Sequence, residues 1–223
     1  MSAGSASRVS RAGGLWFNGR TAYAEVPHSP SINLTDAVSV TAWINMTNPS
    51  SDPWGYIVCK YTYNIYSLIV GGSSSTGIVR FHIGGSHVDS TFPLTCGRWY
   101  FLAATYDRVE QRIYIDGKLN ARTSNSIPIP TTANPLYVGD RYDHTRRFHG
   151  IIDDVRIYNR ALSDDEIRTI YELGALIRNG LVLHLDFTEY EGSIAYDKSG
   201  CGNHATIYGA RWVVKKPLRV LQG

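Results

Sequence analysis

The sequence is poor in cysteine, and this limits the kinds of site that it can build. Only three cysteines occur in 223 residues, and their spacing contains no CxxC pair and no zinc-binding pattern. An odd number allows at most one internal disulfide with one thiol left over. We expect Cys59, Cys96 and Cys201 to be buried thiols that pack as small apolar side chains.

Strong charge and long apolar runs are also missing. The formal net charge is +3, and the basic residues are scattered apart from Arg146-Arg147 and Lys215-Lys216, so we expect no nucleic-acid partner. No run approaches the length of a transmembrane helix, and we expect no membrane insertion. Residues 1–14 are mostly Ser, Ala, Gly and Arg and lack the apolar centre of a signal peptide, so we expect a flexible segment.

Short runs of β-forming residues, separated by turn residues, make up most of the chain. Residues 38–44 alternate at period two, which is typical of a strand with one buried face. Further β-rich runs cover residues 22–26, 65–70, 78–83, 99–106, 112–115, 136–139, 151–158, 181–187, 205–208 and 211–214. Residues 181–186 alternate as in a strand with one apolar face, whereas the alternation of 65–70 is less clean and leaves its buried face open. Many closely spaced strands without alternating helices predict an all-β fold, as a sandwich or a barrel.

One helix is predicted, over residues 163–173. Ser163 is a good N-cap, and three acidic residues follow it at the positive end of the helix dipole. Ser163 and Glu166 match the capping-box pattern. Apolar residues at helical spacing give the segment one hydrophobic face, and Gly174 ends it.

Several segments resemble the laminin-G-like domains of the concanavalin A-like superfamily. FNGRTAYAEVPHSPSINLTDAVSVTAWI resembles their opening strands, and WYFLAATYD followed by IYIDGKL resembles their central hairpin. LYVGD, followed by FHGIIDDVRIYNRALSDDEIRTIY, resembles their closing strand and helix. The resemblance implies an antiparallel two-sheet jelly-roll sandwich of the concanavalin A-like kind, with one short helix.

The order of the segments departs from that family. GLVLHLDFTEYEGSIAYDKSGCGNHATIYGARWV resembles the head of the same domain, which normally precedes the FNG strand but here comes last. We expect one domain over residues 15–214, with a body at 15–175, head strands at 176–214 and a tail at 215–223. Three explanations stay open: circular permutation, donation of the head strands to a neighbouring subunit, or excision from a tandem array.

The carboxylates do not match those of glycan-cleaving relatives. The resemblance implies that such enzymes carry a Glu and an Asp at alternating positions of one strand, on one face. Asp153 and Asp154 are adjacent, so we expect them to point to opposite faces, and Asp186 and Glu189 straddle the end of a strand. The sequence also lacks a nucleophile elbow. We therefore expect no enzymatic activity.

A structural calcium ion is the cofactor that the resemblance implies. Calcium takes several oxygen ligands from carboxylates, amides and carbonyls. The residues implied as ligands, near the junction of head and body, are Asp153, Asp154, Asn203 and Asn18. The alternative is that Asp153 caps a turn and that Asn203 occupies a left-handed turn position.

Aromatic residues mark the candidate ligand surface. Two loop-like stretches are rich in aromatic and planar polar side chains: Trp54, Tyr56, Tyr61 and Tyr63 after a proline, and Tyr142, His144, Arg146 and Arg147. Sugars stack on aromatic faces and form hydrogen bonds with planar polar groups. These stretches predict a surface that binds a glycan or a protein, and the alternative is ordinary packing at a sheet edge.

Two classes of function fit these observations. The first is a non-catalytic binding or adhesion module that recognises a glycan or a surface protein through aromatic loops. The second is a structural subunit of a virion or extracellular assembly, as a homo-oligomer or larger assembly, with the C-terminal strands exchanged between subunits. Both place the chain outside the cell, at a cell surface or on a virion, although the sequence shows no signal peptide.

Overall fold

A computed structural model describes residues 13–47, 54–61, 65–71 and 77–213. Over these residues the chain forms two eight-stranded antiparallel sheets and one α-helix. The expected all-β two-sheet sandwich with one short helix is therefore confirmed. Most of the segment that we expect to be flexible, and the whole of the tail at 215–223, lie outside the described residues.

The chain crosses several times between the two sheets. In chain order the strands are β1 (Leu15–Asn18), β2 (Tyr23–Val26), β3 (Val38–Met46), β4 (Trp54–Lys60), β5 (Tyr66–Gly71), β6 (Ile78–Ile83), β7 (Ser86–Asp89), β8 (Trp99–Tyr106), β9 (Glu110–Ile115), β10 (Lys118–Ser124), β11 (Leu136–Val138), β12 (His149–Tyr158), β13 (Leu181–Leu185), β14 (Ile194–Ala195), β15 (Ala205–Tyr208) and β16 (Arg211–Trp212). Helix α1 (Asp164–Leu173) lies between β12 and β13. Sheet A has the order β10-β9-β8-β3-β12-β1-β16, with β13 also paired to β12, and sheet B has the order β14-β15-β2-β11-β4-β5-β6-β7.

Both faces of the central strands in sheet A are covered. On β3, Val40 and Ile44 belong to the main core between the sheets, whereas Trp43 belongs to a second cluster on the outer face. Ile167 and Ile170 of α1 pack in that second cluster. Since the helix covers one face and sheet B covers the other, β3 is buried over most of its length.

Helix α1 begins and ends where the sequence predicts. The Ser163 side chain accepts a hydrogen bond from the Glu166 backbone N–H, and the Glu166 side chain accepts one from the Ser163 backbone, which completes the capping box. Gly174 adopts the left-handed conformation at φ 65° and ends the helix. Within the described part of the chain, no helix is long and apolar enough to cross a membrane.

The C-terminal strands complete both sheets. β13 pairs with the second half of β12, β15 pairs with β2, and β16 pairs with β1. The Val213 backbone N–H donates to the Gly14 carbonyl at 2.9 Å, so the first and last described strands lie side by side. Leu183, Leu185 and Phe187 are fully buried in the main core.

Strand β13 is buried on both faces, which corrects one expectation from its alternating pattern. A register shift at Tyr158 on β12 places Leu181 in the outer cluster with α1, whereas Val182 lies in the main core. A bulge of this kind reverses the alternation locally. The single apolar face that the pattern implies is therefore wrong for the first residues of this strand.

Two further expectations are wrong. The stretch after Pro53 is not loop-like over its first seven residues, because Trp54–Lys60 is β4, a strand inside sheet B between β11 and β5. The three cysteines are free thiols, but only Cys59 is buried, while Cys96 and Cys201 are exposed.

Candidate functional site

The loop formed by residues 140–147 lies across the outer face of sheet B. The Tyr56 backbone N–H donates to the Arg146 carbonyl at 3.4 Å, and Tyr56 forms a parallel bridge with Arg147. Tyr56, Cys59 and Tyr137 form a buried cluster on this outer face. Burial raises the pKa of the Cys59 thiol above its usual range, so this cysteine is an inert packing residue.

A buried carboxylate organises the 140–147 loop. Asp140 is fully buried, and its carboxylate accepts hydrogen bonds from the Arg141 backbone N–H at 2.8 Å, His144 Nδ1 at 2.7 Å and Arg147 Nε at 3.2 Å. Burial raises the pKa of Asp140. The Arg141 guanidinium binds Asp143 and lowers the pKa of that carboxyl to about 2. These contacts hold His144 and Arg147 in place above the sheet.

The fold brings the two predicted aromatic stretches together. The rings of Tyr61 and Tyr142 lie 4.5 Å apart between centroids, which joins the end of β4 to the 140–147 loop. Trp54 lies under the Arg80 guanidinium at 4.3 Å, and Tyr56 is buried, so these two serve packing. Tyr63 lies outside the described residues.

Two tyrosines that the sequence did not single out lie beside His144. Tyr23 on β2 stacks against Tyr208 on β15, with ring centroids 4.7 Å apart and planes at 19°. On its other side, toward β11, the Tyr23 ring lies 4.5 Å from the His144 ring. We call Tyr208, Tyr23 and His144 the aromatic ladder. Tyr208 is 43% exposed, so the ladder opens to solvent at that end.

The sequence signal that could have identified Tyr208 as a surface residue is the alternation of apolar and polar residues along β15. Ala205 and Ile207 point into the core, and Thr206 and Tyr208 point outward. That pattern shows which face Tyr208 occupies. It does not show that Tyr23 lies opposite, because the pairing of Tyr208 with Tyr23 is a long-range register.

The two asparagines among the implied calcium ligands form hydrogen bonds within the protein. The Asn18 side-chain oxygen accepts backbone N–H groups of Arg20, Thr21 and Ala22 and so closes a turn. The Asn203 side-chain oxygen accepts from the Ser29 hydroxyl at 2.6 Å. Both amide oxygens are therefore engaged within the protein.

The two aspartates have their own surroundings. Asp154 is bound by Arg156 at 2.8 and 2.9 Å and by His184 Nε2 at 3.0 Å, and Asp153 lies opposite Trp43 on β3. Among the described residues, no three His, Cys, Asp or Glu side chains group closely enough to hold a metal ion. Calcium binding at these four residues stays a prediction.

The expectation that Asp153 and Asp154 point to opposite faces is wrong. A bulge interrupts the pairing of β12 with β3 between Asp153 and Arg156, and Asp154 takes a left-handed conformation at φ 50°. Asp153 lies opposite Trp43, which belongs to the outer cluster, and Asp154 binds Arg156 on the same face of sheet A. Both aspartates are nevertheless buried, and the Asp154 carboxylate accepts hydrogen bonds from Arg156 and His184. The alternative for Asn203 is also wrong, because Asn203 does not have a positive φ; the left-handed positions of that turn are taken by Gly200 and Gly202.

Comparison with known proteins identifies a family that shares this fold. The family model described as the concanavalin A-like lectin/glucanases superfamily matches residues 18–168, which is more than half of the chain. No curated protein sequence matches the chain.

Three solved structures illustrate the likeness. A candidate carbohydrate-binding protein from Bacteroides ovatus superposes with a TM-score of 0.75 at 20% identity, over 91% of this chain and 60% of that one. A heptameric SAP-like pentraxin from Limulus polyphemus gives 0.62 at 14% identity, over 92% and 96%. Domain 4 of an extracellular GH43 arabinanase from Geobacillus stearothermophilus, in complex with arabinotriose, gives 0.53 at 18% identity, over 71% and 87%. At these identities the likeness establishes a shared fold, and the chain spans 60% of the length of the Bacteroides protein.

Proposed function

The chain belongs to the concanavalin A-like lectin/glucanase superfamily, and on that premise we propose that it is a non-catalytic module that binds a glycan on the outer face of sheet B. The observation that carries the proposal is the aromatic ladder, which opens to solvent at Tyr208 beside the ordered 140–147 loop. Two similar structures support the proposal by analogy of fold. The Bacteroides protein is described as a candidate carbohydrate-binding protein, and the arabinanase domain is in complex with arabinotriose.

The chemistry of the ladder suits a sugar. Tyr208 and His144 occupy the two sides of Tyr23, so a sugar ring would stack on the outward face of Tyr208. The charges of Glu25 and Arg147 both act on Tyr23, and these two side chains would form hydrogen bonds with sugar hydroxyls. Burial raises the pKa of Tyr23, so its hydroxyl stays neutral near physiological pH and can both donate and accept.

The same surface lacks the pair of carboxylates that glycoside hydrolysis needs. Hydrolysis of this kind requires two carboxyl groups that flank the scissile bond. Beside the ladder, Asp140 is fully buried and bonded to His144 and Arg147. The other described carboxylates near the ladder are Glu25, which is partly exposed, and Asp143 of the loop, which is bound by Arg141. Binding without turnover is the function that this surface supports.

A glycan array with the purified full chain, followed by titration calorimetry on the best binder, tests the proposal. Tyr208→Ala should weaken binding about tenfold, which corresponds to about 1.4 kcal/mol, because the stacking face is lost. Tyr190→Ala is the matched control, since Tyr190 is an exposed tyrosine of the same segment that lies outside the ladder. If Tyr208→Ala binds as tightly as the wild-type chain, the ladder is not the site.

A second candidate function is assembly, and a row of side chains on the outer face of sheet A favours it. The pairing registers place one residue from each of five neighbouring strands in this row: Arg211, Trp16, Ile151, Asn45 and Trp99. Arg211 at one end is exposed and the other four are partly exposed, so the row offers an apolar strip with polar interruptions. As a structural subunit of a virion or another extracellular assembly, the chain would use this strip against a neighbour. Light scattering of the wild-type chain and of Trp16→Ala would show an oligomer that the substitution breaks.

A further inference from the structure

We infer that the ligand surface has a second aromatic contact point, formed by Tyr196 and His204, and that it takes a neutral linear oligosaccharide of at least three sugar rings laid along β15. This inference rests on the proposed function and specifies its ligand. The contact point is built wholly from the C-terminal segment, outside the residues that the family model matches.

The register places both contact points on one face of sheet B. Thr206 and Tyr208 alternate on β15 with residues that are buried in the core, so both point outward. Ile194 on β14 lies opposite Thr206 and therefore points outward too, and it is 40% exposed. Tyr196 directly follows β14 and His204 directly precedes β15, each two residues from these outward positions, and both side chains are exposed. The outward surface thus continues from Tyr208 along β15 and past the strand ends to His204 and Tyr196.

The second contact point combines a ring with hydrogen-bond donors. The Tyr196 and His204 rings lie 5.3 Å apart at 74°. The Asp197 backbone N–H donates to His204 Nδ1 at 3.0 Å, so the neutral imidazole carries its proton on Nε2, on the opposite side of the ring. Lys198 Nζ lies 5.7 Å from the Tyr196 ring centroid and 3.3 Å from Glu189. A sugar here would meet an aromatic ring, an N–H donor and an ammonium group.

The separation of the two points sets the length of the ligand. Tyr208 and His204 are four residues apart on an extended strand, which corresponds to about 13 Å. A monosaccharide cannot touch both points, whereas a chain of three or more rings can. Thr206 and Glu25 lie opposite each other between the two points and offer a hydroxyl and a carboxylate to the middle ring.

The charge of this surface favours a neutral chain. Glu25 and Arg147 both act on Tyr23 of the ladder, and at the second contact point Lys198 lies 3.3 Å from Glu189. Because each contact point has both an acid and a base, the surface has no field of a single sign, whereas a polyanionic ligand would need a basic cluster. The polar groups between the rings therefore match the hydroxyls of an uncharged sugar.

Calorimetry with arabino- and cello-oligosaccharides of one to six rings tests the inference. For the series that binds, affinity should rise at least tenfold between the disaccharide and the tetrasaccharide. Tyr196→Ala should remove that rise and leave the disaccharide affinity unchanged, whereas Tyr208→Ala should weaken every member of the series. Tyr190→Ala should change nothing, and an unchanged melting temperature confirms that each variant is folded.

The outcomes separate this inference from the function on which it rests. If the disaccharide and the tetrasaccharide bind equally well, or if Tyr196→Ala keeps the rise, the second contact point is refuted while glycan binding stands. If no oligosaccharide binds, both fail. Sedimentation of the same variants covers a further case: if Tyr196→Ala dissociates an oligomer, the patch is an interface between copies and the inference is overturned.

Discussion

His184 on β13 and Asp154 in the bulge of β12 are joined by a hydrogen bond of 3.0 Å from Nε2 to Oδ1, and this bond fastens the C-terminal segment to the body of the fold. The same carboxylate binds Arg156, whose guanidinium also donates to the Ala175 carbonyl at 2.6 Å in the link after α1. The strand β13, the bulge of β12 and the link after α1 are therefore connected through the Asp154 carboxylate and the Arg156 guanidinium.

Removal of that carboxylate should destabilise the whole domain. In Asp154→Ala the buried Arg156 loses its counter-ion and His184 loses its partner, so we expect a loss of about 3–5 kcal/mol in the free energy of unfolding. Asp165→Ala is the control, because its pair with Arg168 is exposed and such pairs contribute about 0–1 kcal/mol. Urea unfolding measures both. Equal losses in the two variants would mean that the buried bond does not hold the segment.

The stability of the chain should depend on pH through Lys60. This lysine is fully buried at the end of β4, where its ammonium donates to the Asn134 carbonyl at 2.7 Å, and burial lowers its pKa to about 8. The pKa in the unfolded chain is about 10.4, so the unfolded state binds more protons between these values and stability rises with pH in that window. Relative to Lys60→Met, the wild-type chain should gain on the order of 1–3 kcal/mol between pH 7.5 and 10.

Denaturant titrations of both proteins across that range check the Lys60 prediction. The comparison with Lys60→Met is needed because the contribution of buried thiol and phenol groups to stability changes in the opposite direction at high pH. The pKa of the Cys59 thiol, for example, is raised by burial, so its contribution falls as pH rises above the unfolded value. A stability difference that stays constant from pH 7.5 to 10 would contradict the assignment to Lys60.

A rearranged chain should fold to the same structure. Because the Val213 N–H bonds to the Gly14 carbonyl, a short glycine linker can join residues 180–213 to residues 14–173 in that order. We expect a soluble monomer with the same β-rich circular dichroism and a melting temperature within a few degrees of the original. This result would favour circular permutation among the three explanations for the order of the segments.

The matched control for the rearrangement opens the chain inside β8, between Phe101 and Leu102, with the same linker. Both of these residues are fully buried, so this second rearranged chain should be insoluble or unfolded. If both rearranged chains fail, the closeness of residues 14 and 213 is not enough to join them. If the first forms only oligomers, exchange of strands between subunits becomes the better explanation.

Several features were predictable because their causes are local. The capping box and the left-handed glycine define both ends of α1 within twelve residues, from Ser163 to Gly174. The period-two pattern of residues 38–44 predicted β3, and a β-rich run at 205–208 predicted β15. Resemblance to the family added the order of the body strands. The proximity of Tyr61 and Tyr142, by contrast, needed the fold.

Other features escaped prediction for reasons that can be named. β4 is buried on both faces, so it shows no alternation, and its aromatic residues resembled those of a loop. The bulge at Asp154 depends on a single left-handed residue and turns two adjacent aspartates to the same side of the sheet. The hydrogen bond between the Asn203 oxygen and Ser29 joins residues far apart in the chain, so the sequence did not indicate it.

The sequence by itself determined which segments form strands and helix and which side chains on most strands point outward, because backbone preference and side-chain alternation act over a few neighbouring residues. Only the tertiary structure decided that Tyr23 faces Tyr208 and that Asp154 meets His184. Those partners come from opposite ends of the chain or from across a link. Their pairing follows from burial of one shared core by all strands together, and no short stretch of sequence carries that information.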